Sequence, residues 1–263
     1  MSRVEVLVAC MHQNDDSLYK KMNLQTDAVL ANQCNEYSYC QYIQDNGYVA
    51  KLISTADRGV GKNRNKALMN ASGEYLLFAD EDMVYEDGYE QIVVNAFKEK
   101  ADADIIVFNL IYLNRLANGR APAKKFKRIR VWNSMRYGTA RIAIKHTVLK
   151  KACLSFSTLY GGGAQYSSGE DSLFVREAFR KGLTMYYCPI VIAKVKQETS
   201  TWFNGYTDKL FIDKGVWLAN AFPVLCHVLI YYFSFHMRKV SKEYDFLKIL
   251  KLMRRGIKEF KHS

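Results

Sequence analysis

Residues 74–85 read EYLLFADEDMVY. The first half, Tyr75 to Ala79, is a continuous apolar run of strand length, the pattern of a strand covered on both faces. Asp80, Glu81 and Asp82 follow at once. A buried strand that ends in three like charges calls for a positive group at its tip. Two Asp flanking one residue in a turn suit a hard divalent cation held through oxygen. A triplet of this kind on its own also fits a solvated turn or the acid-rich start of a helix. The apolar strand in front of it gives the cation reading its weight.

The chain alternates outward from this strand. VEVLVACM near the start, DAVLANQ (27–33), YVAKLIST (48–55) and ADIIVFNLIYL (103–113) read as strands, and DDSLYKKM (15–22) and DGYEQIVVNAFKEK (87–100) as helices. Further on, EDSLFVREAFRKG (170–182) is an amphipathic helix and LTMYYCPIVIAKV (183–195) a strand. Strands alternating with helices predict a mostly parallel α/β sheet flanked by helices, with its ligand site beyond the carboxyl ends of the strands. The triplet lies at such an end.

GVGKNRNKALMNAS (59–72) reads as a helix that opens on Gly59 and Gly61, a backbone suited to an anion. A phosphate-binding P-loop fails on spacing, because Ala56 stands where its first glycine belongs and Asn63 where Ser or Thr belongs. What remains is a polar face with Lys62, Arg64 and Asn65. Glu170 and Asp171 open a helix behind the glycine loop Gly161–Gly163. Acids are favoured in a first helical turn, so capping and catalysis both account for them.

The run GVGKNRNKALMNASGEYLLFADED resembles the inverting glycosyltransferases of family 2, whose pattern is G-x-S-x-A-R-N-x-G/A followed by a GEY-hydrophobic-D-x-D strand. Gly59, Gly61, Arg64, Asn65, Ala67, Gly73, Glu74, Asp80 and Asp82 fall on it, and GEDSLF (169–174) resembles the family's glycine-then-ED motif. The resemblance covers about residues 3–195. It implies a GT-A fold and a nucleotide-sugar donor, commonly a UDP-sugar. Asn32, Asp57, Arg64, Asp80, Glu81 and Asp82 would form the donor site. Asp82 and Asp80 would hold Mn²⁺ or Mg²⁺ on the diphosphate, with Asp80 toward the nucleoside. Asp171 would be the general base, Glu170 its support, and Gly162, Gly163 and Trp202 would meet the acceptor. Two departures stand out. Asn32-Gln33 replaces the acid pair that ends the second strand in many members. Lys194 to Gln197 offers no His where many members have a metal ligand.

Composition sets the setting. The 263 residues are 49% hydrophobic, with six scattered cysteines and no CxxC pair, as in a reduced cytosolic protein. The first apolar run is too short for a signal-peptide core, so the expectation is a chain that is not secreted. The net charge is +12, and no acid occurs between Asp104 and Glu170. Gly215 to Phe235 carries no charge, and after Phe235 nine Lys/Arg stand against three Asp/Glu. Together with the resemblance, which implies a transferase domain over 1–205, these features predict a hydrophobic and basic helical segment over 206–263. That segment would lie on an anionic membrane surface at the cytoplasmic face, where the resemblance implies a saccharide or lipid-linked acceptor. A nucleic-acid-binding reading rests on the basic run with Phe126, Trp132 and Tyr137 interleaved, but leaves the carboxylates unexplained, so no nucleic-acid partner is expected. A sugar nucleotidyltransferase would place glycines just after the first strand, where the chain reads CMHQND.

Overall fold

The structure is a computed structural model that describes residues 3–113, 125–196, 205–241 and 243–262. These form two compact units. One holds the described residues up to Thr158 and those from Glu170 to Lys196; the other holds Leu159–Gly169 and the described residues from Gly205 on. The glycine loop, expected within the first domain, thus groups with the C-terminal helices.

The first unit runs β1 (Val4–Met11), α1 (Ser17–Lys21), β2 (Asp27–Gln33), β3 (Ser38–Ile43), β4 (Val49–Thr55), α2 (Val60–Met69), β5 (Tyr75–Asp80), β6 (Met83–Tyr85), α3 (Tyr89–Glu99), β7 (Ile105–Tyr112), β8 (Lys127–Arg128), α4 (Val131–Ser134), β9 (Ile142–Lys145), α5 (His146–Ala152), α6 (Glu170–Arg180) and β10 (Met185–Val195). All the strands join one sheet, in the order β3-β4-β2-β1-β5-β9-β7-β10-β6, with β8 paired to β10. β4, β2, β1 and β5 are parallel neighbours. β9 runs antiparallel between β5 and β7.

Alternation along the strands explains why the sheet is covered twice. Val6, Val8, Leu77 and Ala79 pack on one face with Leu18 of α1 and Val93 and Phe97 of α3. Leu7, Leu76 and Phe78 pack on the other with Ala67 of α2, Leu149 of α5 and Phe174 and Ala178 of α6. A fully buried strand has no polar positions to spare, so its charges collect at its end. Register then aligns the tips: Ala9 pairs with Asp80, Cys10 with Asn32, and Gln33 with Thr55. Asn32, Asp80 and the start of α2 meet at the carboxyl edge because of this register.

β3 and β6 are among the strands that the periodicity did not show. β3 is a mostly exposed edge strand whose apolar residues do not alternate toward a core. Its hairpin with β4 turns at Asn46-Gly47, with Gly47 at φ +82°, and that Asn-Gly dipeptide was the available signal. β6 is three residues long and pairs antiparallel with β10.

The second unit holds α7 (Asp208–Ala221), α8 (Cys226–Arg238) and α9 (Phe246–His262). The uncharged run Gly215–Phe235 is not one helix. α7 ends at Ala221 and Pro223 follows, which lacks an N–H and disfavours a helical residue before it. Among the described residues no helix is long and apolar enough to cross a membrane. α9 turns its apolar side inward, burying Ile249, Leu250, Met253 and Ile257. Gly215 and Gly256 set the approach of α7 and α9. A Cβ on Gly215 would overlap the carbonyl of Met253, and one on Gly256 that of Ile212. The loop Leu159–Gly169 is tied to α7: Ser167 N–H donates to the buried Asp213 at 2.9 Å, and Lys214 reaches Ser168 Oγ at 2.9 Å.

Gly256→Leu should therefore force α9 away from α7 at a cost of about 1–3 kcal/mol, as overpacking does. Thermal unfolding of this variant beside Lys258→Ala, which changes an exposed position, checks the outcome: only the former should melt several degrees lower.

Candidate functional site

The motif at the start of α2 is explained residue by residue. Gly59 sits at φ +117°, where side chains are disfavoured, and its N–H donates to Gln33 Oε1 at 3.0 Å. A Cβ on Gly61 would overlap the carbonyl of Ser157. Asn63 Nδ2 donates to Cys10 O at 3.2 Å. Asn65 bonds the backbone of Phe156 in both directions, each at 2.8 Å. These contacts fix the helix against the tip of β1 and leave Arg64 between the tip of β5 and the start of α6.

Arg64 is buried and gathers three carboxylates from two elements. Its Nη2 donates to Asp80 Oδ1 at 3.0 Å, and its Nη1 to Asp171 Oδ1 at 2.6 Å and Glu170 Oε1 at 3.3 Å. The guanidinium carbon lies 5.4 Å from the Phe156 ring centroid. Burial alone would lower its pKa. Attraction to Asp171, then Asp80 and Glu170, outweighs burial and holds the pKa above the usual range. The positive group demanded by the end of β5 is thus part of the protein itself.

Asp171 takes more than the guanidinium. Thr139 Oγ1 donates to Oδ1 at 2.6 Å, and Thr139 N–H donates to Oδ2 at 3.2 Å. Thr139 follows Gly138 at the entry to β9, and nothing in the sequence pattern singled it out. Glu81 faces the other way and accepts from Met11 N–H and Gln13 Nε2, each at 3.1 Å. Asn32 is fully buried, donating to Gln13 O at 2.8 Å and Ser54 Oγ at 2.9 Å and accepting from Gln13 N–H at 3.0 Å. Glu81 and Asn32 together shape the loop after β1. Asp57 is half-buried at the entry to α2, with Lys66 Nζ at 3.8 Å.

Asp82 lies in the turn between β5 and β6, and its carbonyl accepts from Lys196 N–H at 2.9 Å. Burial first, then the charge of Asp80, pushes its carboxyl above the usual Asp range. Burial does the same to Glu81, against the bond from Met11 N–H. Asp80, Glu81, Asp82, Glu170 and Asp171 leave this edge with an excess of negative charge beside Arg64. Such an all-oxygen donor set fits a hard cation. No trio of His, Cys, Asp or Glu among the described residues converges to enclose one. Asp82, with Asp80 beside it, could supply part of a coordination shell, the remainder coming from ligand and water oxygens. Lys194 is occupied elsewhere, with Nζ 2.9 Å from Glu86.

Gly162 and Gly163 belong to the second unit, and Trp202 lies outside the described residues. Tyr206 stacks on Phe211 at 6.4 Å, which is ordinary packing. In the basic stretch, Phe126 packs under Lys100 at 5.2 Å and Tyr137 stacks on Tyr187 at 5.9 Å. Trp132, at 81% exposure, is not matched by its two aromatic neighbours as a row of open stacking platforms.

Residues 35–159 match the family model described as Glycosyl transferase family 2. The resemblance read from Gly59 to Asp82 is borne out, since that run lies inside the match. The fold is that of GT-A glycosyltransferases. S. aureus TarS 1–349 in complex with UDP-GlcNAc superposes with a TM-score of 0.61 at 15% identity, covering 84% of this chain and 66% of that one. The UDP complex of the same TarS fragment gives 0.58 at 18% identity, with 84% and 67% covered. A longer TarS structure gives 0.56 at 18% identity, and there the chain spans 40% of the other's length. No curated protein matches in sequence.

Replacing Arg64 with Met should leave three carboxylates facing one another. The expected loss is about 3 kcal/mol, near the low end for a broken buried pair because Asp80 keeps partial contact with water. Denaturant unfolding of both proteins at neutral pH measures it.

Proposed function

We propose that the chain is a metal-dependent family 2 glycosyltransferase that moves a sugar from a UDP-sugar to a saccharide or lipid-linked saccharide hydroxyl, with inversion at the anomeric carbon. One observation carries this reading: Arg64 ties the tip of β5 to the start of α6, so the carboxylates of both motifs share one edge of the sheet. The TarS complexes with UDP-GlcNAc and UDP on the same fold support the donor class. A lipid-linked acceptor would hold the protein at the inner face of the cell membrane in polysaccharide assembly.

The roles divide by hydrogen bonding. Asp80 is engaged by Arg64 and Glu81 by the β1 loop, which leaves Asp82 as the carboxylate to face the donor diphosphate. A divalent cation bound there would spread the charge that builds on the leaving phosphate. Asn32 and Asp57 would act at the nucleoside end, Asn32 through the loop it shapes. Inverting transfer needs a base that takes the acceptor proton as the oxygen attacks. Asp171 Oδ1 already accepts two hydrogen bonds, whereas Oδ2 accepts one, from Thr139 N–H. A carboxylate oxygen can accept about two. Oδ2 is therefore the atom assigned to the acceptor hydroxyl, with Glu170 supporting through Arg64.

Three outcomes test the assignment. Asp82→Asn should abolish the gain in UDP affinity that Mn²⁺ gives the wild type, measured by calorimetry, with little change in melting temperature. In the wild type that gain should weaken as pH falls through a value above the ordinary Asp pKa of about 4, because Asp82 must be ionised to bind. Asp171→Asn should lower transfer by ~10²–10⁴ while UDP affinity persists. Near-normal transfer in that variant would leave Asp171 as a clamp on Arg64 and Thr139 only.

A further inference from the structure

α8 presents a second apolar side. It buries Cys226, Ile230 and Ser234. On the opposite side stand Leu225, Val228, Tyr232 and Phe235, which are 55, 70, 65 and 52% exposed. Their spacing of three, four and three residues places them in one stripe along the helix. Val224 and Tyr231, also exposed, widen it. Single exposed apolar residues are ordinary, but a contiguous row marks an interaction surface.

Cations border the row. Lys239 Nζ lies 4.8 Å above the Phe235 ring, Arg254 Nη2 donates to Tyr231 OH at 2.7 Å, and Lys261 Nζ lies 3.0 Å from His227 Nε2. Arg238 is exposed at the end of the helix, and α8 contains no Asp or Glu. α9, the more obvious amphipathic candidate, has already spent its apolar side on packing within the unit.

We infer that the α8 stripe seats the protein on a bilayer containing anionic lipid. Leu225, Val228, Tyr232 and Phe235 enter the boundary between headgroups and acyl chains, and Lys239, Arg254 and Lys261 meet lipid phosphates. Aromatic rings flanked by cations suit that layer, where an apolar body and a polar rim are both satisfied. The thirteen residues of α8 measure about 20 Å, short of the roughly 30 Å of a hydrocarbon core, so the helix lies in the interface and does not cross it. A second copy is the poorer occupant, because two-fold pairing through α8 would bring like charges together. The inference draws its purpose, access to a lipid-linked acceptor, from the transferase reading; its geometry stands without that reading.

The test uses the full chain and sucrose-loaded vesicles of phosphatidylcholine alone or with about 30% phosphatidylglycerol. The wild type should co-sediment with the anionic vesicles and hardly with the neutral ones. Val228→Ser/Phe235→Ser, and separately Leu225→Ser/Tyr232→Ser, should each lower the partition coefficient at least ~10-fold. Lys239→Glu should lower it less and remove part of its salt dependence. Both double variants should melt and bind UDP like the wild type, since these side chains face solvent. A wild type that ignores anionic vesicles, or double variants that bind them as well as it does, overturns the inference. So does a dimer in sedimentation velocity that the double variants dissolve while vesicle binding stays absent. UDP binding on the same preparations reports separately on the transferase reading.

Discussion

A buried guanidinium cannot be left alone, and this constraint organises the carboxyl edge of the sheet. Arg64 loses its water on entering the core, and an uncompensated charge there is costly. Asp80, Glu170 and Asp171 supply the compensation, from β5 and from the first turn of α6. Two segments about ninety residues apart are thereby held to one side chain. The same arrangement over-compensates: three carboxylates meet one guanidinium, and Glu81 and Asp82 stand next to them. The edge is left with a demand for positive charge that a cation on a diphosphate would meet.

α2 carries this arrangement because its other polar positions are already committed. Asn63 and Asn65 are bonded to backbone at Cys10 and Phe156, and Gly61 admits the carbonyl of Ser157. Each accounts for a residue that a surface helix would not need. Gly73 follows the same logic below the sheet, where its N–H donates to the buried Glu5 at 2.7 Å and a Cβ would stand 2.6 Å from Glu5 Cβ. The short motif is therefore a set of packing and hydrogen-bonding requirements around one arginine, which explains why its spacing is informative.

The parts legible in the sequence were those with a strong local signal. Apolar runs such as Tyr75–Ala79 gave strands, and the order of strands and helices gave the parallel half of the sheet and its ligand edge. Asp80, Asp82, Glu170 and Asp171 could be read as candidates, but the joining of Asp80, Glu170 and Asp171 by Arg64 could not, because it is set by register between β1 and β5 and by the seat of α6. Thr139 was illegible for the same reason. Its importance lies in where β9 begins, and β9 is four residues long. β3 was missed because an edge strand has no buried face to impose alternation. The ties of the stretch after the glycine loop to α7 were equally hidden, because Asp213 and Lys214 lie close to fifty residues later.

The C-terminal unit shows why composition alone misplaces a surface. Residues 215–235 are uncharged and the tail is basic, but hydropathy does not say which side of which helix is buried. Packing decides it. Two glycines bring α7 and α9 into backbone contact, which draws the apolar side of the basic helix inward. Pro223 breaks the uncharged run, and the piece beyond it, α8, can bury only one of its sides. Its surplus apolar side chains must then face outward. The tail is left to contribute its cations, and Arg254 and Lys261 on α9 reach the border of α8 at Tyr231 and His227. Apolar row and cationic border thus come from different helices, and neither sequence segment would show the combination by itself.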